Sequence, residues 1–182
     1  MVLFTAGLED YAKPIVGALD PDGTLFTACL YRPATVESKY YQCVKDLSRL
    51  GRNLARTVLV DDTPLAFLNQ PHNGIPVFSF KGDVDDRLLG EAILPLIWNL
   101  SRQQDVRHAL RRRFQMGRWF LSNGFDLNSL GISLELPEPP AHGARLLLGP
   151  ALSYPVLRKF RRSRVPGGVA APPAPRSSHN KT

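Results

Sequence analysis

Short apolar runs that end in polar residues alternate along this chain with stretches of helical spacing. Val2-Leu3-Phe4-Thr5 is apolar, β-prone and closed by a hydroxyl, and Gly7 and an acidic pair follow it, suited to opening a helix over about 8–18. Leu19-Asp20-Pro21-Asp22-Gly23 has turn chemistry, and a β-prone run at 25–31 comes next. Val44-Lys45-Asp46-Leu47 comes next, and then a stretch to about Leu54 that reads as helical. Thr57-Val58-Leu59-Val60 is the cleanest strand; it lacks polar alternation, as a strand buried on both faces does, and it runs into Asp61-Asp62-Thr63-Pro64. Gly74-Ile75-Pro76-Val77-Phe78 predicts another strand. From Asp85 to about Leu100 the spacing predicts an amphipathic helix with Leu88, Leu89, Ile93, Leu96, Ile97 and Leu100 inward, and a polar helix over about 102–115 follows. Strands alternating with helices imply an α/β sheet. Beyond about 120 the periodicity fades, and from 137 the chain is rich in Pro, Gly, Ala and Arg. The expected division is a domain over 1–120 and a largely disordered basic tail over 121–182.

The 182 residues and 43% apolar content suit one globular domain with a core. Two cysteines, Cys29 and Cys43, make neither a disulfide framework nor a zinc site. No run of about eighteen apolar residues suggests a membrane span. The net charge of +7 is uneven. Residues 1–100 hold 9 Lys/Arg against 12 Asp/Glu, while 101–182 hold 14 against 4. That asymmetry argues against specific nucleic-acid binding by the body and confines the basic character to the C-terminal half. Arg111-Arg112-Arg113 and Arg158 to Arg164 are compatible with nuclear targeting or with a solvated face.

In open α/β sheets ligands bind at the carboxyl ends of strands. Thr5, Lys45 and Asp61-Asp62 stand at such positions. A hydroxyl and an ammonium that bind phosphate oxygens, beside a carboxylate that holds Mg²⁺, form a coherent set for phosphoryl transfer. Each has a plainer reading: an N-cap for Thr5, a solvated charge for Lys45, a helix start for the acidic pair.

Four segments occur in one order: Leu-Phe-Thr-Ala-Gly-Leu-Glu-Asp-Tyr-Ala (3–12), Val-Lys-Asp-Leu-Ser-Arg-Leu-Gly-Arg-Asn-Leu (44–54), Val-Leu-Val-Asp-Asp-Thr-Pro (58–64) and Asn-Gly-Ile-Pro-Val (73–77). The series resembles the RNA polymerase II C-terminal-domain phosphatase family, including the small C-terminal-domain phosphatases, over roughly residues 2–116. The resemblance implies a haloacid-dehalogenase Rossmann-like parallel sheet, Mg²⁺ dependence, and hydrolysis of phosphoserine or phosphothreonine in a phosphoprotein through an aspartyl phosphate. It also implies roles: Thr5 binds the transferring phosphoryl group, Lys45 neutralises its charge, Asp61 pairs with that lysine, Asp62 is the metal ligand, and Arg32 lies on the substrate side. Pro33-Ala34-Thr35 departs from the family's pattern, which leaves substrate choice open.

The family's first motif, Asp-x-Asp-x-Thr, carries the nucleophile and the general acid/base on the central strand, and it precedes the Phe-Thr-Ala segment. Asp20-Pro21-Asp22-Gly23-Thr24 spells that pattern, but it follows a helical stretch and reads as a turn. The expectation is a phosphatase-like domain with an incomplete sheet, its central strand missing, from an incomplete gene model or a truncated form, unstable and inactive alone. A non-catalytic phosphoprotein-binding scaffold is the alternative, as in the receptor subunit of the mitochondrial presequence translocase. Nucleus or cytoplasm is the expected compartment, with the mitochondrion as the alternative.

Overall fold

The computed structural model describes residues 1–138. The expected tail from 139 onward lies outside the described residues. Four short strands and four α-helices follow one another as β1 (Val2–Phe4), α1 (Glu9–Leu19), β2 (Ala28–Leu30), β3 (Leu59–Asp61), β4 (Gly74–Pro76), α2 (Leu94–Ser101), α3 (Val106–Phe114) and α4 (Met116–Ser122), with single helical turns between. The class is α/β. Among the described residues the strands form two separate parallel pairs. In the first, β1 lies on β2 with Leu3 opposite Cys29; in the second, β3 lies on β4 with Val60 opposite Ile75.

The core comes almost wholly from the second pair and the helices on it. Phe67, Leu68, Ile75, Leu110, Phe114, Met116 and Phe120 are all but inaccessible, with Val44, Leu96 and Leu100 around them. Residues 1–34 contribute nothing to this cluster, and the buried apolar residue there is Ala12. Helix α1 instead turns Tyr11, Ile15 and Leu19, spaced one turn apart, to solvent. Packing runs past residue 120, where the apolar period fades: Leu127 is buried, and Phe125, Leu130, Ile132 and Leu134 lie against the core. This stretch packs as a strap with a 3₁₀ turn at Asn128–Leu130, so it carries no α-helical period.

Two expected helices differ from the structure for local reasons. Residues 44–54 form 3₁₀ turns at Leu47–Leu50 and Leu54–Arg56. The Asp46 side chain accepts from the Ser48 N–H, Asn53 accepts from the Ala55 N–H, and Gly51 takes φ 63°. Short polar side chains that bond nearby backbone compete with a continuous helix. In 85–100, a π-helical segment at Leu88–Ile93 precedes α2. Pro95 has no N–H to give to the preceding turn, and the Leu94 N–H reaches back to the Leu89 carbonyl. That shift leaves Ile93, Leu96 and Leu100 buried as expected, but it turns Leu89 outward.

Candidate active site

The carboxyl end of β3 carries the site. Burial of Leu59 and Ile75 between helices fixes the strand, and Asp61 is its last residue. One Asp61 oxygen accepts from the Lys45 ammonium at 2.5 Å, and the other accepts from the Thr63 N–H at 2.9 Å. Both side chains are about nine-tenths buried, so each charge depends on the other for compensation. Lys45 is anchored at both ends. Its N–H donates to the Ala66 carbonyl at 2.7 Å, and the neighbouring Asp46 is clamped by Gln70. Gln70 donates to the Asp46 carboxylate and accepts the Leu47 N–H, tying the lysine loop to the turns after β3. Burial pushes the Asp46 carboxyl up, but donors from Ser48, Gln70 and Asn69 outweigh it and hold the group below its usual range.

Lys45, Asp61 and Asp62 open onto a cavity of about 540 Å³. Its other wall is mostly apolar, made by Val60, Val77, Phe80, Leu88 and Leu89. Asp62 is exposed there, and its carboxylate accepts from its neighbour's Thr63 hydroxyl at 3.3 Å. A Mg²⁺ ion takes about six oxygens and often only one or two of them from carboxylates, so Asp62 fits as one such donor. Among the described residues no group of three or more His, Cys, Asp or Glu side chains could hold a metal. Further donors would have to come from elsewhere.

Thr5 and Arg32 form a second cluster at the carboxyl end of β1. The Thr5 hydroxyl accepts from the Gly7 N–H at 3.0 Å, which shapes the turn into α1. It is not that helix's cap, since Leu8 occupies the N-cap position without a side-chain bond. Arg32 closes on the same turn, donating through Nε to the Ala6 carbonyl at 2.6 Å and through its N–H to the Gly7 carbonyl at 2.9 Å. The two clusters approach where the Phe4 ring lies 5.9 Å from the Lys45 ammonium. The structure thus joins Lys45 with Asp61 and Asp62, and Thr5 with Arg32, and it brings the two sets near each other.

Asp20 is engaged otherwise. It ends α1, and its carboxylate accepts from the N–H groups of Thr24, Leu25 and Phe26 at 2.9–3.1 Å. Burial raises its pKa, yet these donors together lower it below the usual value. A carboxylate filled by backbone donors holds a turn; it is not poised to attack.

A match over residues 1–107 to the model of the NLI interacting factor-like phosphatases accounts for this arrangement. The chain belongs to that family. Among its members, the CTD small phosphatase-like protein of Homo sapiens is 41% identical over 111 residues, which are 61% of this chain and 39% of that one. The carboxy-terminal domain RNA polymerase II polypeptide A small phosphatase 2 of Mus musculus is 43% identical over 111 residues, 60% of this chain and 39% of that one. Phosphatase Herzog of Drosophila melanogaster is 41% identical over 111 residues, with 60% and 30% covered. The chain therefore spans about two-fifths or less of the length of these curated relatives.

Within this family member, sequence reasoning missed Tyr41 and the Asp46–Gln70 clamp. Burial first, then the neighbouring Cys43, Asp61 and Asp62, push the Tyr41 phenol up, while Arg32 pulls it down. Nothing in its local wording marks it. For Asp46 the Asp-Leu-Ser spacing was a legible capping signal.

Proposed function

We propose that this chain is the later part of a phosphoprotein phosphatase domain of the haloacid-dehalogenase type, hydrolysing phosphoserine or phosphothreonine through an aspartyl phosphate. The observation that carries the reading is the buried Lys45–Asp61 pair at the end of β3, opening beside Asp62 onto an accessible cavity. A buried ammonium held by one carboxylate keeps donors free for a phosphoryl oxygen, which is its role here. Thr5 donates its hydroxyl to the same group, Arg32 faces the substrate, and Asp62 is one ligand of Mg²⁺, which when bound neutralises charge on the phosphoryl oxygens.

The nucleophilic aspartate belongs, in this reading, to an Asp-x-Asp-x-Thr strand that precedes residue 1 and lies between β1 and β3. Support comes from the separate strand pairs, which leave β1 and β3 without a common ladder among the described residues. The domain proper then comprises about 1–120 with its packed strap, followed by the basic extension. Relatives named for RNA polymerase II suggest its phosphorylated C-terminal domain as substrate and the nucleus as compartment.

Hydrolysis of p-nitrophenyl phosphate with Mg²⁺ tests this on two forms. The 182-residue chain should show no turnover, and a form extended through an upstream Asp-x-Asp-x-Thr should show turnover that Lys45→Ala removes. Turnover by the shorter chain would overturn the assignment of the nucleophile. The scaffold alternative has one observation in its favour, that Asp20 is tied into a turn. An extended form that binds phosphopeptide without turnover would establish it.

A further inference from the structure

His72 lies in the single turn Pro71–Asn73 before β4, is 6% exposed, and has no part in the chemistry at Lys45. Its Nε2 is 3.1 Å from the Leu134 carbonyl, at the far end of the strap. A carbonyl only accepts, so Nε2 carries the proton of the neutral ring and Nδ1 is left as a bare acceptor. Nδ1 is buried with no partner among the described residues. The Leu134 side chain fills the space that Gly117 of α4 leaves open. A Cβ built at Gly117 would lie 2.7 and 3.0 Å from the two Leu134 methyl carbons, and 3.2 Å from His72 Cε1. One joint therefore holds this end of the strap: a hydrogen bond from His72 and a leucine seated in a glycine notch. The rest of the strap is held elsewhere. Leu127 is buried in the core, the Asp126 N–H donates to the Tyr40 hydroxyl at 2.9 Å, and the Phe125 and Tyr40 rings lie 5.0 Å apart. The Ile132 N–H donates to the Leu127 carbonyl at 3.1 Å, and beyond it the bond from His72 is the backbone tie of Leu134 among the described residues.

A second proton changes what this joint can hold. The charged ring would still donate from Nε2, but Nδ1 would gain an N–H with no acceptor among the described residues, and a buried donor left unpaired is costly. Helix α3 adds repulsion. Arg111, Arg107 and His108 all act against a positive ring, although Arg107 is paired with Asp105 at 2.6 Å and His108 lies 3.9 Å from the same carboxylate. Helix α4 meets the ring with the uncharged Gly117, and Glu135, the acid that follows Leu134, is exposed. Lifting Leu134 away would open Nδ1 to water and remove the penalty. We propose that His72 and Leu134 form a proton-released latch, in which the neutral ring keeps the end of the strap in the Gly117 notch and protonation frees Leu134 while the core stays folded. Burial holds the imidazole of the closed joint below its usual 6.5, which gives acid the same direction. The latch lies at the end of a strap outside residues 1–107, which match the family model, and it is independent of the chemistry at Lys45.

Methyl NMR on the 182-residue chain tests this between about pH 7.5 and 5.5, with exchange saturation at Leu134 reading the ratio of open to closed strap end and Ile75 reporting the core. The ratio should rise severalfold as pH falls by a unit below about 6.5, with about tenfold as the ceiling that one proton sets. The rise should track the His72 Cε1–H resonance, and Ile75 should keep its native position throughout. His72→Gln should abolish the rise, His108→Gln should keep it, and Gly117→Ala should free Leu134 already at the upper pH. If Leu134 and Ile75 lose their native positions together, acid unfolds the whole chain rather than the strap end, and the proposal fails. It fails too if the Leu134 ratio does not change with pH, or if His108→Gln removes the rise and His72→Gln does not. The first two of these outcomes are read on the unsubstituted chain, so they decide the matter even where a variant does not fold.

Discussion

At the scale of single residues, the buried Lys45–Asp61 pair is the most exposed to test. Removing one partner leaves the other as an unpaired charge, so Lys45→Met should destabilise the chain by roughly 3 kcal/mol in urea titration. Adding Asp61→Asn to Lys45→Met should recover much of that loss, because the amide oxygen still accepts the Thr63 N–H and no charge remains buried. If the double variant is as unstable as the sum of the singles, the pair is not coupled as described. His72 supplies a pH test. Burial holds its imidazole below the usual 6.5; the Leu134 carbonyl at 3.1 Å opposes the shift, and the charges of Arg111 and Arg107 add to it. Its other ring nitrogen, Nδ1, is buried without a partner among the described residues. A group with a depressed folded pKa binds its proton first in the unfolded chain, so stability is full above the unfolded value near 6.5 and is lost as pH drops from there through the lower folded value. The thermal midpoint should therefore decline from about pH 7.5 to 5.5, and His72→Gln should flatten the decline.

At the scale of elements, Gly74 shows why β4 begins where it does. A Cβ built there would lie 2.3–2.6 Å from the ring of Phe67, which is itself fully buried. Gly74→Ala forces that ring against the core, and a loss of about 1–3 kcal/mol in unfolding free energy is expected. Asn73, one residue earlier, donates to the carbonyls of Leu54 and Thr57, both at 2.7 Å, and so ties the turn before β3 to the start of β4. The Asn-Gly-Ile-Pro-Val wording was legible in the sequence as a strand entrance; the two reasons for its first residues were not, since both are long-range contacts. The same division runs through the chain. Buried strands and their terminal acids could be read from apolar runs, and the Lys45–Asp61 pairing was implied by the family resemblance. The 3₁₀ turns after Lys45 and the π-helical segment before Pro95 depend on side-chain competition and one missing donor, which helical periodicity does not register. The raised Tyr41 phenol arises only through the fold, in a loop with no pattern of its own.

At the scale of the whole molecule, the strand edges decide how the two parallel pairs relate. Thr5 donates to Leu30, and Val77 donates to Asp61, so residues 3 and 5 and residues 59 and 61 face their partners. Backbone groups of successive residues alternate in direction, and Phe4 and Val60 therefore turn their N–H and C=O away from the existing ladders. A strand inserted between β1 and β3 would bond to these two residues and leave the outer edges of β2 and β4 unaffected. Amide exchange resolved by residue separates the possibilities. In the 182-residue chain the Phe4 and Val60 amides should exchange fast relative to Leu3 and Asp61. In a form extended upstream they should slow by about tenfold or more, as newly bonded core amides do. Unchanged exchange at both positions in an extended form that is active would mean that the nucleophile reaches the Lys45 site from outside the sheet, and the gap between the pairs would then need another occupant.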